Sequence, residues 1–236
     1  MLYKIIKILY ICIKYTFKVI TKINKKNMNT LPESVYHSLF KNFGDEIIKA
    51  ANIQVEVEGL ENLDSKDDSY IYISNHTSLL DIPILAANIP DFIRFIYKTE
   101  LGRIPLFGTA LRKMQFIPID RNNPKNAFES IEKAADMVSN TGSVILFPEG
   151  SRSKTGKVGK FKRGAFILAS KTKKKIVPIA ICGMNDIMPA KSLKIKSGKI
   201  KIIILPIIDS ILEERNEMQN QIDLIKQEIS KKVDNF

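Results

Sequence analysis

Tyr70-Ile71-Tyr72-Ile73-Ser74-Asn75-His76-Thr77-Ser78-Leu79-Leu80-Asp81 is the stretch on which the fold turns. Tyr70–Ser74 is rich in aromatic and β-branched residues and reads as a strand. The polar run Asn75–Ser78 ends it, and Leu80–Asn88 then reads as a helix. The same exchange recurs outward from this point. Further strands are expected at Gln54–Glu58, Phe92–Tyr97, Gln115–Ile119, Val144–Phe147, Ile176–Ile181 and Lys199–Leu205. Helical segments are expected at Pro124–Asn140 and Lys162–Thr172, and a last one at Glu213–Val233, where Met218, Ile222, Ile225 and Ile229 keep helical spacing. Strands alternating with helices predict an α/β fold with a mainly parallel central sheet flanked by helices. Such sheets present their working groups where strands end and loops begin. No repeat or Pro/Ser-rich linker divides residues 53–236, which read as one domain behind an N-terminal segment, residues 1–52.

The chain has 236 residues, 44% hydrophobic and 26% charged, a composition that excludes intrinsic disorder. Lys and Arg outnumber Asp and Glu by 37 to 25, which favours anionic partners. Two distant cysteines, Cys12 and Cys182, make neither a disulfide framework nor a C-x-x-C site and read as small hydrophobes. His37 and His76 are the chain's two histidines, so histidine chemistry has few addresses.

The opening residues, MLYKIIKILYICIKYTFKVITKINKK, are neither a signal peptide nor a membrane span: Lys7, Lys14 and Lys18 interrupt the apolar run. On a helix, Lys4, Lys7, Lys14, Lys18, Lys22 and Lys25 fall within an arc of roughly 80°. Ile11 alone breaks that stripe, and the remaining face is Ile, Leu, Val and Phe. The layout predicts a helix lying in the membrane interface, apolar face down and lysines toward anionic headgroups. The other reading is an amphipathic helix docked on the protein's own core. A second helix is expected from the T-x-x-E capping box of Thr30 and Glu33, with Leu31, Val35, Leu39, Phe43 and Ile47 on one face and His37 solvated or packed.

Several motifs are absent: G-x-S-x-G, G-x-G-x-x-G and H-E-x-x-H. The stretch Gly150 to Lys157 only approximates a phosphate-binding P-loop. Lys173–Lys175 has no aromatic platform around it, so no nucleic-acid partner is expected, and no metal cluster is visible. Polar residues at strand ends remain. In the first, Asp81 at a strand–turn–helix junction can fold back onto the ring of His76 and fix its tautomer, leaving the other ring nitrogen to take a proton. Others are Gln115-Phe116-Ile117-Pro118-Ile119-Asp120-Arg121, Val144-Ile145-Leu146-Phe147-Pro148-Glu149-Gly150-Ser151-Arg152-Ser153, and Ile176-Val177-Pro178-Ile179-Ala180.

With H-x4-D, these four segments in this order resemble the glycerolipid acyltransferase family. Its members use N-H-x4-D, a strand ending in D-R, F-P-E-G-[ST]-R-S and V-P-[IV]. Lys98-Thr99-Glu100-Leu101-Gly102-Arg103-Ile104-Pro105 and Phe161-Lys162-Arg163-Gly164-Ala165 look like the family's connecting blocks. The likeness runs from about residue 53 to 206, and the basic two-helix N-terminus resembles the membrane anchor of bacterial members.

The resemblance implies transfer of an acyl group from a thioester, acyl-CoA or acyl-carrier protein, to the hydroxyl of lysophosphatidic acid, giving phosphatidic acid for phospholipid biosynthesis. His76 is then the base and Asp81 its orienter. Arg121 and Arg152 suit the acceptor phosphate, because a guanidinium grips phosphate bidentately. Glu149, Gly150 and Ser151 belong to the acceptor site by analogy, with Glu149 on a glycerol hydroxyl or orienting an Arg. Lys162 meets an anionic substrate or is a solvated helix start. No cofactor or metal is expected. The expected location is the cell membrane, monotopic or peripheral on its cytoplasmic face. Two other readings are a related enzyme acting on glycerol 3-phosphate, another lysophospholipid or an acylated amino-acid lipid, and a non-catalytic basic membrane-surface module.

Overall fold

The computed structural model describes residues 2–23, 31–63, 69–120, 124–139, 142–210 and 215–236. Helices α1 (Leu2–Lys22) and α2 (Glu33–Ala51) lead into β1 (Ile53–Glu58). There follow β2 (Ile71–Ser74), α3 (Asp81–Asn88), β3 (Arg94–Lys98), α4 (Phe107–Lys113), β4 (Ile117–Ile119), α5 (Pro124–Ser139) and β5 (Val144–Leu146). The chain continues through α6 (Gly164–Thr172), β6 (Ile176–Cys182), α7 (Met184–Ile187), β7 (Gly198–Ile204) and α8 (Arg215–Asp234). Seven strands form one sheet in the order β1-β7-β6-β2-β5-β3-β4. Every neighbouring pair is parallel except β6–β7, so β1 and β7 run against the other five. All seven expected strands are present. β4 starts two residues later than the sequence pattern implies because Gln115 has φ of 57°, a left-handed conformation that no strand residue holds. The short helix α4 is not apparent in the sequence, since seven residues offer too little periodicity to read.

Side chains of the central strands alternate between two cores, as strand geometry requires. Tyr70, Tyr72, Val177, Ile179 and Ile181 face the cluster built with α1 to α4, whereas Ile71, Ile73, Ile176 and Ala180 face residues of α5, α6 and α8. The boundary between residues 52 and 53 falls between the end of α2 and the start of β1. The core is continuous across it, with Tyr36 and Ile47 of α2 in the same cluster as Tyr72. A Cβ at Gly44 would lie 2.1 Å from the Pro83 carbonyl oxygen, so glycine lets α2 approach α3 closely.

α2 starts differently from expectation. Its N-cap is Pro32, with no side-chain capping bond, and Thr30 lies outside the described residues. Glu33 instead pairs with the buried guanidinium of Arg94 at 2.8 Å, because a buried cation needs a counter-charge more than a helix end needs a cap. His37 is packed, its Nε2 buried without a hydrogen-bond partner among the described residues.

α1 docks on the core along one side and leaves the opposite side exposed. Ile11, Tyr15 and Val19 are buried, and the helix packs on α2 and α4. Ile11, the residue that breaks the lysine stripe, is therefore part of the docking seam. Leu2, Tyr3, Ile6, Leu9, Tyr10, Ile13 and Phe17 stay exposed on the other side. The lysine stripe departs from expectation: Lys4 donates to the Ala51 carbonyl and to Ser197 Oγ, and Lys14 pairs with Glu46, while Lys7 and Lys18 remain exposed. Lys14 and Tyr15 both bond Glu46, and the Lys14 bond holds that carboxyl below its ordinary range. Among the described residues, no helix is long and apolar enough to cross a membrane.

Candidate active site

The parallel strands deliver their polar ends to one edge. At the end of β2, the Asn75 side chain mimics a strand residue: its Nδ2 donates to the Ile181 carbonyl at 2.9 Å, and its Oδ1 accepts from the Ile181 N–H at 2.8 Å. This double bond to β6 fixes the peptide that carries His76. Sequence reasoning assigned Asn75 no role, since its partner lies 106 residues away.

The His76 ring is held on two sides. Its Nδ1 lies 2.7 Å from Asp81 Oδ2, and Phe147, just past β5, stacks on it with centroids 4.1 Å apart and planes at 18°. Asp81 opens α3, where the helix dipole favours a negative charge. The same Oδ2 accepts the N–H groups of Thr77 (2.8 Å) and Ser78 (2.9 Å). An oxygen already taking two backbone protons meets the ring as an acceptor, so the ring proton belongs on Nδ1 and Nε2 is left to receive one. The His76 side chain is 15% exposed and that of Asp81 is 0%. The reactive nitrogen can thus be reached while its orienter is sealed.

Glu149 is not arranged as the sequence reading pictured it. Oε1 accepts the His76 N–H at 2.8 Å and Oε2 accepts the Gly159 N–H at 2.9 Å. The Ser153 N–H donates in turn to the His76 carbonyl at 2.7 Å. The segment Phe147–Ser153 therefore grips His76 by its ring and by both backbone groups. Burial pushes the Glu149 carboxyl above its ordinary pKa, against the lowering effect of its two backbone donors. A Cβ at Gly159 would lie 2.7 Å from Glu149 Oε2, so a side chain there would push on the carboxylate.

Gly150 has φ of 74°, and a Cβ there would sit 2.9 Å from Lys162 Nζ, so Lys162 lies over this turn. The Lys162 N–H also bonds the Pro148 carbonyl, closing the loop onto its own start. Ser151 and Arg152 begin that loop, exposed and half-buried respectively. Arg121 lies outside the described residues, just past β4, whose end is on the same sheet edge. The structure thus brings together His76, Asp81, Glu149, Gly150 and Lys162.

A family model described as Acyltransferase matches residues 54–182, which include all of these. The chain belongs to the acyltransferase family. This acyltransferase is 40% identical over 152 residues to the chloroplastic 1-acyl-sn-glycerol-3-phosphate acyltransferase LPAT1 of Arabidopsis thaliana, covering 64% of this chain and 42% of that one. To the enzyme of the same activity name from Helicobacter pylori it is 35% identical over 148 residues, 62% of each chain. The chain spans about half the length of the plant and algal relatives it matches, 42%, 52% and 46%. The crystal structure of the 1-acyl-sn-glycerophosphate acyltransferase from Thermotoga maritima has the same fold, with a TM-score of 0.72, 23% identity and 97% of both chains covered.

Proposed function

We propose that this acyltransferase moves a fatty acyl group from a thioester to the free hydroxyl of lysophosphatidic acid, forming phosphatidic acid. The observation that carries the reading is the His76–Asp81 pair at 2.7 Å. The activity named for the relatives supports the choice of acceptor.

His76 Nε2 takes the acceptor's hydroxyl proton as the oxygen attacks the thioester carbonyl carbon. Buried Asp81 stabilises the imidazolium that forms. Collapse of the tetrahedral intermediate breaks the C–S bond, and the Nε2 proton goes to the departing sulfur. The substrate hydroxyl thus takes the place that a serine fills in a hydrolase triad. The route proposed uses no metal or cofactor. Arg152 and Arg121 are assigned to the acceptor phosphate, and Lys162, over the Gly150 turn, is assigned to added positive charge there. Exposed Lys154, Lys157 and Lys160 on the same loop suit the anionic donor, acyl-CoA or acyl-carrier protein. The outward apolar face of α1, with Lys7 and Lys18 at its border, is assigned to an anionic bilayer at the cytoplasmic face of the cell membrane.

The test is acyl transfer by the purified full chain in detergent, with acyl-CoA and acyl-carrier protein as donors. Lysophosphatidic acid, glycerol 3-phosphate and lysophosphatidylcholine serve as acceptors. Phosphatidic acid as the main product is expected. A preference for another acceptor overturns the substrate assignment, and no transfer from folded protein overturns the reading as an active enzyme.

Glu149 gives a sharper check on the site. If it positions His76, Glu149→Ala lowers kcat about 10²-fold, the scale of a misplacement of about 1 Å, and changes acceptor KM less. Glu149→Gln, which keeps one acceptor oxygen, loses less. A carboxylate that bound the acceptor directly would show the reverse pattern, with KM rising and kcat kept.

A further inference from the structure

We propose that the turn Leu101–Phe107 is a second membrane-inserting element, entering the same lipid surface as the outer face of α1. The inference rests on the reading that the acceptor is a bilayer lipid. Leu101, Ile104, Leu106 and Phe107 are 40%, 46%, 50% and 39% exposed, four large apolar side chains within seven residues. Arg103 and Pro105 between them are exposed as well. Singly exposed apolar residues are ordinary, but a contiguous cluster marks an interaction surface.

The backbone holds this cluster outward. Leu106 has φ of 61° and ψ of −54°, a conformation that a bulky L-residue rarely adopts and that costs about 1–3 kcal/mol. Behind it the turn is closed on itself: a Cβ at Gly108 would lie 2.1 Å from the Gly102 carbonyl oxygen. Arg112 donates to that same oxygen at 2.8 Å and to Thr109 Oγ1 at 3.2 Å. A turn braced in this way cannot fold its apolar side chains back onto the core.

Its place in the fold ties it to α1 and to the site. The turn opens α4, which packs against α1, and Lys113 at the end of α4 donates to the carbonyls of Ile20 and Ile23. It also follows β3 at the sheet edge that carries His76. Charge selects lipid over a second copy of the chain. α1 contains no acidic residue, and exposed Lys7, Lys18 and Arg103 would repel their own copies while matching anionic headgroups.

The chain contains no tryptophan, so Phe107→Trp introduces a single tryptophan, excited at the red edge of its absorption apart from the tyrosines. Added vesicles of equal phosphatidylglycerol and phosphatidylcholine are expected to shift its emission to the blue, and lipids brominated on their acyl chains to quench it. Phe17→Trp reports α1 in the same way, and Leu224→Trp, exposed on α8 across the sheet, is expected to do neither. Combined Leu106→Ser and Phe107→Ser should lower vesicle partition about tenfold or more. An unshifted, unquenched Phe107→Trp overturns the proposal, as does a blue shift that grows with protein concentration without lipid, which would mean a second copy covers the turn. Transfer to a soluble short-chain acceptor, measured on the same samples, separates failure of this proposal from failure of the catalytic reading.

Discussion

His76→Ala is expected to lower kcat about 10²–10⁴-fold, the usual worth of a positioned general base, with acceptor KM little changed. Nε2 is the ring nitrogen not committed to Asp81, and no other histidine substitutes for it, since His37 lies within α2, beside Phe92 and Ser143 where β3 and β5 begin. The fold should survive the change. Asp81 keeps its two backbone donors, and the Asn75 and Glu149 bonds to the surrounding backbone do not involve the ring. Release of free thiol, followed beside a thermal melt, checks both halves of the expectation. Retention of more than about a tenth of wild-type kcat in a folded variant would remove His76 from the proton-transfer step.

Asp81→Asn should reduce kcat on a similar scale, about 10²–10⁴-fold, and also cost stability. Oδ2 serves three N–H groups at 2.7 to 2.9 Å from a fully buried position. An amide oxygen accepts these bonds without the charge that strengthens them, and a flipped amide would point donors at donors. Hydrogen bonds to charged groups each contribute about 1.5–3 kcal/mol, so a loss of that order is expected in chemical denaturation. Activity also falls because a neutral partner no longer stabilises the imidazolium. Nitrogen NMR of the ring gives an independent readout, simplified by there being two histidines: the proton should sit on Nδ1 in the wild type and spread over both nitrogens in the variant. Wild-type kcat with a wild-type tautomer would show that Asp81 only holds the turn.

These expectations rest on parts of the site that differ in how far the chain reveals them. The pairing of His76 with Asp81 is readable because both residues belong to one strand–turn–helix junction, five positions apart. Glu149 could be placed near the site but not oriented, since its partners are the backbones of His76 and Gly159, and backbone donors leave no residue-type signature. Phe147 and Asn75 are in the same position: a stacked ring and a paired amide look like ordinary strand-end residues until β5 and β6 flank β2. Arg121, placed beside the phosphate by resemblance alone, lies outside the described residues.

The N-terminal helix shows the same division. Its period and its two kinds of surface are properties of a single helix and can be computed from residue spacing. Which apolar arc docks cannot, because that depends on where α2 and α4 stand, and the seam chosen was the narrow one through Ile11, Tyr15 and Val19. Sequence by itself determined the seven strands, the main helices, the family resemblance and the His–Asp pair, all set by backbone geometry or neighbouring residues. Only the tertiary structure decided which face of α1 is left outward, that Glu149 grips the His76 peptide, and that an apolar turn is held out beside the site. Each of these depends on contacts between segments far apart in the chain, and local periodicity carries no record of such contacts.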